Sequence, residues 1–383
     1  MIIGIDTSNI RLGGGVTHLR NLLRYANPES HGIQKVIVWG GRTPLDQLPN
    51  STWLDLREIS MLNNSLVHRL YWQNITLTSL ARKNCDLLFV PGGLYLGAFR
   101  PYATMCQNLL PFADEEISRY GFSGRAIRLK LLARGQAHTF THSDGIIFLT
   151  QHVRDVLLSK YPRLEHSRQT VIPHGIDPMF FCDNAEKRKH AIPVQLLYVS
   201  SVDLYKHQWN VVSSVYNLRK EGFDIQLTLV GSSTCQSALD KLNGAIKKVD
   251  PKMDFVKYEG SKDYEVLPSY YHNADLFIFA SSCENLPIIL LEAMASHLPI
   301  ACSNRLPMPE VLGDTGVYFD PEDITSITNA LRELLLSSDL RKVMGEKTRE
   351  RANKFTWTKC SSDTFQFLST ITHNPLKKTN LNY

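Results

Sequence analysis

Short apolar segments alternate with longer amphipathic segments along most of the 383-residue sequence, and this alternation limits the possible folds more than any other feature. The short segments, such as Ile2–Asp6 and Leu276–Ala280, have the length and the branched or aromatic side chains of buried strands. The longer segments have the apolar spacing of helices that cover a sheet. The sequence therefore predicts parallel sheets with helices on both faces, which is an α/β doubly wound architecture.

The length of the chain indicates two domains, because it exceeds what one hydrophobic core usually serves. Residues 177–193 are polar, charged and bounded by prolines, which is typical of a connection. We predict an N-terminal domain over residues 1–178, a linker over 179–193 and a C-terminal domain over 194–383. Whether the last helix packs back on the N-terminal domain is left open. Ligands of doubly wound sheets bind beyond the carboxyl ends of the strands, so we expect a site in a cleft where the domains face each other.

Composition and charge exclude several classes of protein. A formal net charge of +5 is too small for a nucleic-acid binder. No uncharged apolar run reaches the about 18 residues of a membrane span, and we expect no secretory signal. The seven cysteines are scattered without a C-x-x-C pair, which favours a reducing cytoplasm. The histidines, for example His138, His142 and His174, do not follow metal-ligand spacing, so we expect no protein metal site.

The most informative segment is SSCENLPIILLEAMASHLP, residues 281–299. A strand that ends at Ala280 is followed by a turn, and a helix is predicted from Pro287. Glu292 lies in that helix among apolar neighbours, where an unpaired carboxylate is costly. Sugar hydroxyls would satisfy this carboxylate, whereas a position on a solvent-facing stripe is the structural alternative.

Glu284 precedes the same predicted helix. The backbone N–H groups at the helix start, around Asn285, Leu286 and Ile288, form a site for an anion or a hydroxyl. A favourable charge near a helix N-terminus is the alternative interpretation of Glu284.

Two further segments follow predicted strands. Lys206, in LLYVSSVDLYKHQWN (196–210), lies beside a helix start and is well placed to neutralise a pyrophosphate, although alone it is more simply an exposed lysine. The glycines at 13–15 allow a ligand to approach the backbone closely, but they match neither a dinucleotide loop nor an ATP loop. A flexible connector is their alternative interpretation.

The segment RAIRLKLLAR, residues 125–134, places arginines among leucines. Such a helix can lie against an anionic membrane surface or a lipid-linked acceptor. A plain amphipathic helix packed on the core is the commoner interpretation.

Together these segments resemble the retaining glycosyltransferases of family 4, which are group 1 glycosyl transferases. ENLPIILLE is similar to the E-x7-E motif of that family, with Glu284 and Glu292 as its two glutamates. YVSSVDLYKH is similar to its phosphate-binding loop, and VIPHGID (171–177) to the end of its first domain. The resemblance covers nearly the whole chain and implies the GT-B fold, with two Rossmann-like domains facing each other across a cleft.

The resemblance also implies roles for individual residues. Glu292 would bind the ribose hydroxyls of the nucleotide, and Glu284 would hold hydroxyls of the donor sugar. Lys206 would stabilise the diphosphate as the glycosidic bond breaks. The other donor contacts that it implies are Gly14, Gly15, Ser201, Tyr258, Asn285, Leu286, Pro287 and Ile288. Members of the family generally need no bound metal, so no cofactor is expected besides the nucleotide-sugar substrate.

Two positions depart from the family pattern. Ser201 stands where the family often has an arginine, so Lys206 would carry the phosphate charge more alone. Gln107 and Asn108 stand where a histidine and an aspartate are common, and they become candidate acceptor or sugar contacts. An amide can hydrogen-bond a sugar hydroxyl but cannot take its proton.

The resulting prediction is a cytoplasmic retaining glycosyltransferase that moves a hexose, mannose for example, from a nucleoside-diphosphate sugar to a glycan acceptor. The favoured acceptor is a lipid-linked saccharide at the inner face of the cytoplasmic membrane, in bacterial O-antigen, lipopolysaccharide or capsule biosynthesis. A peripheral membrane contact is part of this prediction, and a nucleic-acid partner is not. The alternatives are a transferase for a soluble small acceptor and a degenerate scaffold subunit, for which Ser201 and Gln107 are the evidence.

Overall fold

A computed structural model describes residues 1–10, 14–64, 66–182 and 192–373. The chain divides into two compact units. Unit 1 consists of Met1–Phe112, Phe122–Gly175 and the chain from Trp357 onward, and unit 2 consists of Ala113–Gly121 and Ile176–Thr356. Among the described residues, no helix is both long enough and apolar enough to cross a membrane.

The units differ from the predicted domain ranges at three places, one of which is the boundary after Gly175 instead of after residue 178. The segment Ala113–Gly121 belongs to unit 2, although it lies inside the predicted N-terminal domain. The last helix belongs to unit 1, where it buries Phe365 and Leu368 and where the Ser361 hydroxyl donates to the Leu22 carbonyl at 2.8 Å. Most of the predicted linker, residues 183–191, lies outside the described residues.

Unit 1 is built on seven parallel strands in the order β3-β2-β1-β4-β5-β6-β7. These strands are β1 (Ile2–Asp6), β2 (Lys35–Gly40), β3 (Leu54–Glu58), β4 (Leu87–Val90), β5 (Tyr102–Met105), β6 (Gly145–Phe148) and β7 (Arg168–Val171). The predicted strands are confirmed to within two residues, but β3 was not predicted. Its sequence, LDLRE, is half-buried and partly charged because the strand lies at the sheet edge, and it therefore lacks the apolar run of a central strand.

Helices cover the sheet of unit 1. They are α1 (Gly14–Arg24), α2 (Arg42–Leu45), α3 (Leu66–Tyr71), α4 (Leu77–Asn84), α6 (Gly124–His142), α7 (Gln151–Lys160) and α15 (Trp357–His373). The apolar spacing of the sequence predicts one helix over residues 65–82. A π-helical turn at Trp72–Thr76 joins α3 to α4 there, so the segment is continuously helical with one irregular turn. Ser65, where that prediction began, lies outside the described residues.

Unit 2 is built on six parallel strands in the order β10-β9-β8-β11-β12-β13. These strands are β8 (Val194–Val199), β9 (Ile225–Val230), β10 (Val256–Tyr258), β11 (Leu276–Phe279), β12 (Ile300–Ser303) and β13 (Val317–Phe319). The helices of this unit are α5 (Asp114–Ser118), α8 (Gln208–Lys220), α9 (Gln236–Val249), α10 (Leu267–Asn273), α11 (Ile288–Ala295), α12 (Met308–Leu312), α13 (Ile324–Leu336) and α14 (Ser338–Ala352). All six predicted strands are confirmed, whereas the short helices α5 and α12 were missed.

The strand order of unit 2 reverses between β8 and β11, which lie side by side although two strands separate them in sequence. Such a switch point leaves a crevice at the carboxyl ends of the two central strands, because their loops depart in opposite directions. The loops that follow β8 and β11 carry Lys206 and Glu284. The predicted α/β doubly wound class is therefore confirmed, and it explains why these loops meet.

Gly231, directly after β9, gives a test of this packing. Its φ is +147°, and an added Cβ would lie 2.0 Å from the Ser200 carbonyl oxygen at the end of the neighbouring strand. We expect Gly231→Ala to destabilise unit 2 by about 1–3 kcal/mol from backbone strain alone, and the clash adds to this. A lower urea midpoint of the unfolding transition measures the effect. The matched control is Gly244→Ala in α9, where an added Cβ meets nothing within 4 Å and should stabilise by about 0.5–1 kcal/mol.

Candidate functional site

The loop after β8 is shaped by a buried carboxylate. Asp203 accepts hydrogen bonds from the Tyr120 hydroxyl at 2.7 Å, from the Thr234 hydroxyl at 2.8 Å and from the backbone N–H of Leu204 at 2.8 Å. Tyr120 comes from the chain segment 113–121 that joins unit 2. The bonds from Tyr120 and Thr234 tie the loop to two other segments of unit 2, and the bond from Leu204 stabilises the loop locally. No sequence pattern pointed to Asp203, because Tyr120 and Thr234 are distant from it in the chain.

Lys206 ends this loop as a buried cation. Its ammonium forms an ion pair with the Glu284 carboxylate, and the two side chains are 5% and 15% exposed. The ammonium also lies 4.9 Å from the centre of the Tyr205 ring and 5.4 Å from that of Phe279. The interpretation of Lys206 as an ordinary exposed lysine is therefore wrong. A buried ion pair is expensive to desolvate and adds little to stability. The burial of Lys206 and Glu284 therefore indicates a functional role for the pair.

The loops after β8 and β11 are joined by further hydrogen bonds. The backbone N–H of Ser282 donates to the Tyr205 carbonyl at 2.8 Å, and the Ser282 hydroxyl lies 3.0 Å from His207 Nε2. His207 has a left-handed backbone with φ of 50°, which is strained for a residue with a side chain. Burial, with a smaller contribution from Arg119, lowers the pKa of His207 to about 4, so its ring is neutral at pH 7. The sequence did not single out His207, because backbone strain leaves no trace in composition.

The start of α11 lies beside Glu284. The first hydrogen bonds of the helix are donated by Leu290 and Leu291 to the Pro287 carbonyl, so the N–H groups of Ile288 and Ile289 precede them. Such N–H groups at a helix start attract anions and hydroxyl oxygens. The remaining predicted donor contacts of this loop, Asn285, Leu286 and Pro287, are buried.

Glu292 lies inside α11 and is 2% exposed, so the solvent-stripe interpretation is wrong. The Tyr271 hydroxyl donates to its carboxylate at 2.8 Å, and Tyr264 also hydrogen-bonds it. The pKa of Glu292 is raised to about 7, because burial and, to a smaller extent, Asp177 raise it more than the hydrogen bonds from the two tyrosines lower it. The carboxylate thus has protein partners that the sequence analysis missed, and the only signal for them was the tyrosines of the segment before β11.

Ser201 and Tyr258 lie near one another at the same edge of the sheet. The Ser201 carbonyl accepts a hydrogen bond from the Gln208 side chain at 3.0 Å. The Tyr258 hydroxyl donates to the Gly231 carbonyl at 2.9 Å, and an added Cβ at Gly231 would lie 3.0 Å from the Ser201 nitrogen. The structure therefore brings together, within unit 2, the predicted donor contacts on the loops after β8, β10 and β11.

The other predicted contacts belong to unit 1. Gly14 and Gly15 begin α1, and an added Cβ at Gly15 would lie 3.4 Å from the Gln107 side-chain oxygen. Gly15 and Gln107 are therefore neighbours, because they follow β1 and β5 of the same sheet. The Asn108 side chain instead accepts from the backbone N–H of Leu110 at 3.0 Å, which stabilises a turn.

Comparison with known proteins decides the family. Residues 183–351 match the model of the glycosyl transferases group 1, and this range contains Lys206 and both glutamates. The chain carries a group 1 glycosyltransferase domain. Assignment to family 4 in particular stays a prediction.

Similar proteins include O-antigen chain mannosyltransferase B of Escherichia coli, 32% identical over 110 residues, which are 29% of this chain and 29% of that protein. The sucrose-phosphate synthase of Thermosynechococcus elongatus is similar in structure, with a TM-score of 0.76 and 18% identity over 97% of this chain and 99% of that one. HepE of Anabaena, solved with UDP and glucose, has a TM-score of 0.70 and 15% identity over 97% of this chain and 100% of that one. These structures confirm the GT-B fold of this chain.

The curated relatives are matched only in part. The matching segments span 29%, 26% and 53% of the length of the first three. The chain thus spans about half or less of the length of these relatives.

The environment of Glu292 predicts how the stability of the protein depends on pH. The pKa of this carboxyl group is 4.5 ordinarily and about 7 when folded, so the folded state binds more protons between these values. The stabilisation from protonated Glu292 is fully present below pH 4.5 and is lost as the pH rises through 7. We expect Glu292→Gln to remove this loss, which is on the order of 3 kcal/mol.

The measurement is the thermal unfolding midpoint from about pH 5 to about pH 8. The difference between Glu292→Gln and the wild type should grow in favour of the variant as the pH rises. The same change at the exposed Glu265 is the control and should leave the pH profile unaltered. Parallel profiles for Glu292→Gln and the wild type would contradict the buried, protonated carboxyl group.

Proposed function

We propose that this protein is a glycosyltransferase that moves a hexose from a nucleoside-diphosphate sugar to a glycan acceptor. The observation that carries the proposal is the pairing of Lys206 with Glu284 at the switch point between β8 and β11, inside the group 1 domain. Crevices at such switch points bind nucleotides, and a cation fixed there meets the phosphates.

Lys206 is assigned to the leaving group. When the bond between the anomeric carbon and the terminal phosphate oxygen breaks, negative charge builds up on the nucleoside diphosphate. A fixed ammonium stabilises that charge without reorganising during the reaction. Its contacts with Tyr205 and Phe279 limit the space in which the ammonium can move. Glu284 holds the ammonium before the donor binds and, in this proposal, accepts hydrogen bonds from hydroxyls of the donor sugar.

The acceptor hydroxyl forms the new bond to the anomeric carbon, on the face that the nucleotide leaves, so the configuration is retained. Its proton passes to the departing phosphate oxygen, which becomes a stronger base as the bond breaks. No side chain has to take the proton, which is consistent with Gln107, an amide, at the predicted acceptor position. Gly14 and Gly15, at the start of α1, keep their predicted role as contacts of the substrate.

Glu292 is assigned to the ribose of the nucleotide. The hydroxyls of Tyr271 and Tyr264 orient its carboxyl group. A carboxylate can accept about four hydrogen bonds. The acceptor positions that the two tyrosines do not occupy can accept hydrogen bonds from the ribose hydroxyls. This division would let the protein fix the carboxyl group before the nucleotide arrives.

The favoured donor sugar is mannose, and the favoured acceptor is a lipid-linked saccharide of a bacterial surface polysaccharide. The similarity to an O-antigen chain mannosyltransferase supports both assignments. The exposed face of α6 supports the acceptor. It presents Ile127 and Leu131 beside Arg128, Lys130 and Arg134, and α6 contains no acidic residue.

The helix α6 combines two of the interpretations that its sequence left open. It buries Ala126, Leu129 and Phe140 against unit 1, while the opposite face remains exposed. A basic face with apolar side chains is typical of helices that lie on anionic lipid. We assign this exposed face to contact with the membrane that holds the acceptor.

The donor reaction is tested by nucleotide release with UDP-, GDP- and ADP-sugars and a glycan acceptor. Lys206→Met should lower turnover by about 10²–10³-fold with the fold intact, because a preorganised charge is lost. Lys252→Met, which removes an exposed lysine of the same unit, is the control and should change nothing. Unchanged turnover in folded Lys206→Met would refute the phosphate role. Absence of any thermal shift with all nucleotides favours a scaffold subunit instead.

The membrane contact is tested by cosedimentation with vesicles of phosphatidylglycerol and phosphatidylcholine. Replacing Arg128, Lys130 and Arg134 by glutamine should weaken binding by about 100-fold, since each basic residue near an anionic surface contributes about 1 kcal/mol. Vesicles of phosphatidylcholine alone should bind neither form well.

The matched control for that experiment removes the same charge elsewhere. Replacing the exposed Lys247, Lys248 and Lys252 of unit 2 by glutamine should leave vesicle binding nearly unchanged. If both triple variants bind alike, or if the wild type ignores the vesicles, a soluble small acceptor becomes the better assignment.

A further inference from the structure

Three side chains that are far apart in sequence meet in the interior of unit 1. His18 lies in α1, His174 follows β7, and Cys360 lies in α15. Their ligating atoms all lie within 4.8 Å of one another, and each residue is at most 5% exposed. We propose that this His–Cys cluster binds one thiophilic metal ion of the d¹⁰ type, Zn²⁺ or Cu⁺.

The ligand types define the kind of ion. A thiolate together with imidazole nitrogens selects zinc or monovalent copper, whereas magnesium and calcium require oxygen ligands. The prediction that the protein has no metal site considered only spacing along the sequence. Because the three ligands come from separate elements, that argument does not cover the His–Cys cluster.

The geometry of the histidine pair is close to that of a metal site. The Nδ1 atoms of His18 and His174 are 2.9 Å apart, with the ring planes inclined at 47°. Nitrogens bound at about 2.0 Å to a tetrahedral ion lie about 3.3 Å apart, so the pair has to open by a few tenths of an ångström. In the metal-free form one ring must carry its proton on Nδ1, and binding moves that proton to Nε2.

The protonation states of the histidines suit metal binding. Burial lowers the pKa of His18 to about 4 and that of His174 well below its usual value, and the nearby His18 ring lowers the pKa of His174 further. Both rings are therefore neutral at pH 7, which is the form that binds metals.

Cys360 makes the cluster selective. Burial, with a smaller contribution from Asp363, raises the pKa of its thiol to about 12, so the thiol keeps its proton at pH 7 in the metal-free form. Binding releases that proton to solvent, and only an ion that bonds strongly to sulfur can offset the cost. One thiolate neutralises Cu⁺ fully and leaves Zn²⁺ with a net charge of +1. A buried net charge is unfavourable, so charge balance favours the monovalent ion.

Aromatic packing keeps the cluster dry. The Trp357 ring stacks on His174 with centroids 5.7 Å apart and lies 5.8 Å from the ring of His18. A bound ion would connect α1, the segment after β7 and α15, and would stabilise unit 1 by mass action. This role is separate from the donor site, which lies in unit 2.

The test uses the full chain, purified under a reductant and stripped with a chelator. Addition of Co²⁺ as a spectroscopic probe should produce a thiolate-to-cobalt charge-transfer band at one ion per chain. Zn²⁺ alone and Cu⁺ alone should each raise the thermal midpoint, and competition with Co²⁺ ranks their affinities. X-ray absorption of the loaded wild type should show one sulfur and two nitrogen ligands.

Variants separate the His–Cys cluster from other thiols. Cys360→Ser should abolish the band and weaken metal binding at least about tenfold, as loss of a ligand does. Cys106→Ser, at another buried cysteine of unit 1, should keep both the band and the metal affinity. A band that persists in Cys360→Ser, or a wild type that shows neither band nor thermal shift, overturns the proposal. If Cys360→Ser does not fold, the absorption spectrum of the wild type still decides. Loss of transferase activity bears on the donor site and not on this result.

Discussion

The ion pair between Lys206 and Glu284 is the interaction on which the candidate donor site depends. A buried ammonium keeps its charge only beside a compensating group, and a buried carboxylate has the same requirement. The pair can form because β8 and β11 are neighbours at the switch point, so that the loops after them meet. Hydrogen bonds from Ser282 to the Tyr205 carbonyl and to His207 hold these loops in place. The topology of the sheet thereby positions the charge.

The two glutamates of the E-x7-E motif meet different environments, and the difference separates their chemistry. Glu284 compensates a cation. Glu292 is buried against two tyrosine hydroxyls, and burial raises its pKa to about 7. Glu284 thus forms an ion pair, whereas Glu292 forms hydrogen bonds. This division agrees with a site that holds a phosphorylated leaving group on one side and hydroxyls on the other.

Ser201, the departure from the family pattern, does not leave its loop unsupported. Its carbonyl accepts from Gln208, and Asp203, two residues later, is bound by Tyr120 and Thr234. The loop therefore keeps its path without an arginine at this position. Hydrogen bonds to Ser201 and Asp203 hold the shape of the loop, whereas Lys206 supplies its positive charge. The charge at position 201 can therefore be lost without a change in the shape of the loop.

The sequence by itself determined the fold class and most of the strands, because a buried strand requires a local apolar run whatever its neighbours are. It also identified Glu284 and Glu292 through their spacing. Tertiary structure alone decided which groups partner these residues, such as Tyr271 for Glu292, and it assigned α15 to unit 1. It also assembled the His–Cys cluster from three separate elements. Periodicity records how deeply a residue is buried, but the identity of its partner depends on contacts between segments that lie far apart in the chain.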